Sequence, residues 1–390
     1  MLLLCSGCSS DSAPAPAAST AGPLYVSATR VFNPDSSVGY LTTVPALDHS
    51  THVDLSRAIE IDESWVFGKA DPYFYTAAIF EPIIQRWELS SAGELIAGPK
   101  LSFANQGVGG TYTAAALPLF SKTKSYFVDS NSQQLVIWNP SDMSFAGTIP
   151  LNVEPMRGFT PDFEIAVTPD RLYVTVFWTK DDTGLTKYGS VTKIIAIDPK
   201  TDRVLETSDE PRCETLSPAG VASDDTAYFA PWDYHTVVRG VYGDGYGSHS
   251  CALRVVPPAT SYDAGYDVDL SALVGGRPAG SMHLIGNDQA LVHVWHDELV
   301  GATPENWTET RSLPGYLWYR WHLGADSAEA LPDQAPSSED GGWISLDGKP
   351  YTLSPNSEYS ETTLVELSDS GELVPGVTIE GWTANIIRAR

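Results

Sequence analysis

Two eleven-residue stretches, 278 positions apart, constrain the fold of this chain most. Glu88-Leu89-Ser90-Ser91-Ala92-Gly93-Glu94-Leu95-Ile96-Ala97-Gly98 and Glu366-Leu367-Ser368-Asp369-Ser370-Gly371-Glu372-Leu373-Val374-Pro375-Gly376 agree at seven of eleven positions. Each reads as a strand, a tight glycine turn and a second strand. Weaker copies follow the same plan. Gln134-Leu135-Val136-Ile137-Trp138-Asn139-Pro140 leads into Phe145 to Ile149, and Lys193 to Pro199 leads into Arg203-Val204-Leu205. The Asn-Pro and Asp-Pro pairs start turns, because proline fixes φ and Asn or Asp bonds the local backbone.

Units of roughly 45–65 residues with about four short strands each read as the blades of a β-propeller. Blade two runs from Trp65 to Ile96. Blade three starts near Ala114 and ends near Leu151, and blade four runs from Glu164 to Ser208. Blade five spans Ala219 to Val274, blade six Gly280 to Leu331, and blade seven Gly342 to Ile379. Two pieces are left over. Pro23 to Ala28 with Gly39 to Thr43 lacks an inner strand, and Trp382 to Arg388 lacks an outer partner. Joined, they complete a seven-bladed ring and pair edges that would otherwise stay open. Eight blades stays open as an alternative, because units five and six are long. A β-helix is the other structural alternative, with shorter repeats.

Composition agrees with an all-β domain. With 42% hydrophobic and 11% aromatic residues, the chain is too apolar for disorder, and its 32 Gly and 28 Pro supply turns. The formal charge of −26 argues against a nucleic-acid partner, which would need a basic stripe.

The first residues read as an address. Met1-Leu2-Leu3-Leu4-Cys5-Ser6-Gly7-Cys8 resembles a bacterial lipobox, with small residues ahead of a cysteine that takes lipid. The positive flank is missing and the apolar run is short, as a start codon placed too far downstream would produce. Residues 1–7 are thus expected to be signal peptide, Cys8 the lipidated residue, 8–22 a Ser/Ala/Pro-rich tether, and 23–390 one propeller. No stretch is apolar enough for a transmembrane helix. With Cys5 removed and Cys8 lipidated, Cys213 and Cys251 are left to form a disulfide in an exported protein, or two buried thiols in a cytosolic one.

Function is expected on one face. Loops between second and third strands, and connections between blades, fall on the same side of a propeller. Three neighbouring loops are long there: Trp178 to Val191, Pro231 to Ser250, and Trp295 to Pro314. Long loops on a rigid scaffold usually carry binding. They hold Trp178, Lys180, Lys187 and Tyr188; Trp232, Tyr234, His235, Arg239, Tyr242, Tyr246 and His249; and Trp295, His296, Trp307 and Arg311. Blade connections add Arg157, Arg212 and Arg277. Aromatic faces stack planar rings while Lys and Arg offset anionic charge. The candidate ligand-binding set is Arg157, Trp178, Lys180, Trp232, Tyr234, His235, Arg239, Arg277, Trp295 and His296. The competing reading packs these rings as loop anchors.

Other chemistry is weaker. His49-Ser50-Thr51-His52 has metal-like spacing but sits at an edge or on the opposite face. His293 and His296 are three apart on a strand and point to opposite sides. No nucleophile elbow, zinc-protease helix, phosphate loop or dinucleotide fingerprint occurs. No cofactor is expected beyond iron carried within a ligand.

Val66-Phe67-Gly68, Phe80-Glu81-Pro82-Ile83-Ile84-Gln85-Arg86-Trp87 and Leu101-Ser102-Phe103-Ala104-Asn105-Gln106-Gly107 resemble the MxcI-like proteins of siderophore gene clusters. More distantly they resemble surface lipoprotein propellers that capture ferric siderophores. The resemblance implies a lipid-anchored outer-membrane propeller, periplasmic or surface-exposed, working with a TonB-dependent receptor in iron uptake. It names no contact residue. The expected function is therefore capture of an aromatic, anionic ligand rather than catalysis. An exported propeller enzyme (lyase, lactonase or quinone-dependent oxidase) and a protein-interaction scaffold are the alternatives.

Overall fold

A computed structural model describes residues 22–34, 36–111, 119–182, 185–243, 246–286, 288–310, 313–338 and 342–390. Cys8, the signal peptide, nearly all of the tether and Arg311 lie outside the described residues. Seven sheets follow one another along the chain, their blade strands paired antiparallel. Blade two is Ser64–Ala70, Tyr73–Ala78, Ile83–Leu89 and Leu95–Ser102. Blade three contributes Ser125–Asp129, Gln134–Asn139 and Ser144–Pro150; its expected start at Ala114 falls outside the described residues. Blade four is Thr160–Val167, Leu172–Asp182, Thr192–Asp198 and Arg203–Glu210. Blade five is Ser217–Val221, Ala227–Ala230, Cys251–Val255 and Val268–Asp269. Blade six is Ala279–Leu284, Gln289–Trp295, Tyr316–His322 and Ala328–Ala330. Blade seven is Trp343–Leu346, Lys349–Pro355, Glu361–Leu367 and Leu373–Glu380.

Blade one closes the ring. Trp382–Arg388 is its inner strand, and Tyr25–Asn33, Ser36–Val44 and Ile59–Ile61 complete it. Tyr25 pairs with Arg388 and Val26 with Ile387. The seam is tied to both neighbours. Tyr25 donates a 2.5 Å hydrogen bond to Asp347 of blade seven, which also accepts from Arg388 at 2.6 Å. The Asn385 amide bonds both the N–H and the carbonyl of Val66 in blade two. Seven blades and closure by both chain ends therefore stand. His52 lies on a two-residue strand, His52–Val53, parallel to the outer strand of blade seven.

The repeat that organises the sequence has one physical cause. It forms the turn between third and fourth strands in blades two and seven. In each copy a serine carbonyl accepts the glycine N–H at 2.9 Å, and the serine hydroxyl accepts the following glutamate N–H at 3.0 Å. Gly93 and Gly371 have φ of +84° and +91°, a region that favours glycine.

The core lies in slices between blades. Phe67, Tyr75 and Trp138 pack across blades two and three, with Tyr75 and Trp138 edge to face at 5.4 Å. Leu135, Ile137, Phe163, Ile165, Val174 and Val176 fill the next slice. Alternation puts these side chains on opposite faces of each sheet, so every blade feeds two slices.

Candidate functional site

The three long loops are built, not irregular. In blade four the second strand runs on to Asp182 and returns through Leu185–Tyr188 as a hairpin. In blade five the insertion folds into helix α1, Asp233–Tyr242. In blade six it carries two single-turn helices, Asp297–Val300 and Trp307–Thr310.

Helix α1 starts after Pro231-Trp232 and places Asp233 in its first turn, where a carboxylate suits the helix dipole. It buries Tyr234, Val237 and Val238 and stops at Gly243. The chain then folds back tightly. Gly247 has φ of +62°, and a side chain there would meet the His235 carbonyl at 2.1 Å. A disulfide joins Cys213, just before the inner strand of blade five, to Cys251, just after the insertion, with 6.2 Å between their Cα atoms. The expected staple is present.

The aromatic residues divide. Trp178 is buried in the slice between blades three and four. Trp295 is buried against Trp307 at 6.1 Å and Tyr316 at 4.7 Å. Tyr234 is buried too, 5.9 Å from Trp307. These three rings anchor the insertions and are closed to a ligand as they stand. An amphipathic ring anchoring a loop and one lining a pocket give the same sequence signal. Trp232 is different: its residue is 41% exposed, seated against Tyr234 and His235 at 5.5 and 5.4 Å. His235 is buried beneath it, bonded to the Thr215 hydroxyl at 3.0 Å and packed on Tyr188 at 4.3 Å. Burial pulls its pKa down to about 3, so it is neutral.

The cations divide as well. Arg157 and Lys180 are exposed. Arg239 lies 2.8 Å from His249 and 3.8 Å from Glu214. Glu214 also accepts from the Ser248 hydroxyl and the His249 backbone. Arg277 forms a two-pronged pair with Glu298, both bonds 2.9 Å. That pairing raises the arginine and holds Glu298 down at about 2. His296 bonds Glu298 as well, at 3.1 Å. Arg212 is fixed by Glu210 and by the carbonyls of Asp263 and Tyr266. Lys187 sits over the Tyr246 ring at 5.1 Å. Most expected cations thus already have acidic or aromatic neighbours, which residue type alone does not reveal.

Three features had no separate signal in the sequence. Asp233, His293 and Ser337 meet under the insertions. On the inner strand of blade four, loss of solvation and the neighbouring Asp162 push Glu164 up to about 7. On the same face, above blades one and seven, Phe32 and Tyr359 are exposed rings 6.2 Å apart, with Trp382 beside Phe32 and Arg30 over Trp382 at 5.0 Å.

The fold and this face define a seven-bladed β-propeller with three structured insertions on one side. No family model and no curated protein matches the chain. Among solved structures it is similar to a Bacteroides fragilis protein described as a candidate 6-phosphogluconolactonase. The TM-score is 0.54 at 10% identity, covering 95% of this chain and 99% of that one. A protein from Lactobacillus plantarum gives a TM-score of 0.51 at 12% identity, covering 93% and 98%. At these identities the likeness is one of fold.

Proposed function

We propose that this propeller is a lipid-anchored binding protein of the bacterial outer membrane. It captures an aromatic, anionic ligand of the ferric-siderophore class and works with a TonB-dependent receptor. The observation that carries this reading is Trp232, a large exposed ring on the face of the insertions, packed against Tyr234 and His235. A preorganised ring gives up little conformational freedom when a planar ligand stacks on it. Exposed Lys180 and Arg157, on blade four and its connection, supply positive charge on the same face in a chain of net −26. The lipobox-like start and the likeness of blades two and three to siderophore-cluster proteins support the anchor, the location and the ligand class.

Titration of tryptophan fluorescence with ferric catecholate siderophores tests the reading. Quenching is expected at micromolar ligand and is expected to weaken about tenfold in Trp232→Ala, the stacking energy of one ring. No quenching at that concentration, or an unchanged midpoint in Trp232→Ala, refutes it.

A further inference from the structure

His293 is fully buried in the second strand of blade six, and its two ring nitrogens have different partners. Nδ1 bonds a carboxylate oxygen of Asp233, at the start of α1. Nε2 lies 2.7 Å from the hydroxyl of Ser337, on the connection to blade seven. Three separate chain segments therefore converge in the order carboxylate, imidazole, hydroxyl.

The arrangement is tightly held. The Asp233 side chain is 1% exposed; its second oxygen accepts the Tyr234 N–H at 2.8 Å, and its own N–H donates to Ser281 at 3.0 Å. The imidazole lies between Tyr316 and Trp318, stacked on both at 4.5 and 4.0 Å. The Ser337 backbone is fixed by a reciprocal pair with Tyr316, at 2.9 and 3.1 Å. Ser337 itself is only half-buried. With the Asp233 carboxylate accepting a hydrogen bond from Nδ1–H, the Nε2 lone pair faces the Ser337 hydroxyl. A buried carboxylate, an oriented imidazole and a partly accessible hydroxyl are the parts of an activated serine nucleophile, recognised by geometry rather than by sequence position.

We propose that Ser337 is a nucleophile toward carboxylic esters, His293 its general base, and Asp233 the positioning residue. This goes beyond ligand capture at Trp232 and does not depend on it. In the step, Ser337 Oγ bonds the acyl carbon while its proton passes to His293 Nε2. The ester C–O bond breaks and that proton goes to the leaving alcohol. Water then adds to the acyl carbon while giving a proton to Nε2; the bond from the acyl carbon to Ser337 Oγ breaks, Oγ takes that proton from Nε2, and the acid is released.

A fluorophosphonate probe and p-nitrophenyl acetate test this on the full chain. The expected result is an adduct on Ser337 by peptide mass spectrometry, lost in Ser337→Ala and kept in Ser338→Ala. Ester turnover is expected to drop about a hundredfold or more in Ser337→Ala, with its melting temperature close to the parent. Absence of an adduct on Ser337 in the parent protein overturns the proposal. So does equal turnover in Ser337→Ala. A purely structural hydrogen-bond network gives both of those results.

Discussion

Replacing both Cys213 and Cys251 by alanine is expected to lower the melting temperature by about 5 °C. The bridge spans 38 residues, which include the first two strands of blade five and the whole of α1. Closing a loop of that length removes about 13 cal/mol/K from the unfolded chain, or about 4 kcal/mol at 25 °C. Unfolding entropy of roughly 2 cal/mol/K per residue gives a domain of this size about 0.8 kcal/mol per degree, hence the 5 °C. Alanine is the right replacement because both residues are buried, where burying a serine hydroxyl costs more than burying a methyl group. Calorimetry of the two proteins measures the shift. Limited proteolysis is expected to cut the blade-five insertion faster in the variant, since the bridge ties its C-terminal flank to the segment before the inner strand. Two free thiols in the unfolded, unreduced parent, or a shift below about 1 °C, would refute the reasoning.

Trp295→Ala is expected to cost about 3–5 kcal/mol in chemical denaturation, because its ring fills a buried site; Trp232→Ala should cost under about 1 kcal/mol, and equal costs would contradict the division of the two rings. Gly315→Ala should destabilise by about 1–3 kcal/mol, since the new methyl would sit 2.4 Å from the Trp295 ring. His235 has a folded pKa of about 3, below its unfolded value, so the unfolded chain takes up a proton first as pH falls. Its presence therefore costs stability below about pH 6.5, by up to about 1.4 kcal/mol per pH unit until the folded value is reached. His235→Asn should flatten that part of the pH profile, and an unchanged slope between pH 6 and 4 would show that His235 is not buried neutral.

Much of the ring was legible because its causes are local. The Ser-x-x-Gly-Glu turn is stabilised within five residues, so its two copies stand out at 88–98 and 366–376. Strand alternation marks the blades for the same reason. The unpaired Tyr25 and Trp382 segments implied closure, since each lacked a partner the other could supply. The candidate site was legible only in position. Its loops lie where expected, but the hairpin of blade four and α1 depend on packing against each other through Tyr188 and His235. Whether Trp178 meets solvent depends on distant neighbours such as Ile137 and Phe163. Arg277 and Glu298 are 21 residues apart, and nothing local announces that they neutralise each other.

The sequence by itself determined the repeating strand units, the joining of the chain ends and the place of the long loops, since turn chemistry and period-two patterning are short-range properties. Tertiary structure alone decided which rings became anchors, which cations were paired, and that Asp233, His293 and Ser337 share one line of hydrogen bonds. The last of these joins residues 60 and 44 positions apart, brought together by how the blades pack, and no local pattern encodes such distances.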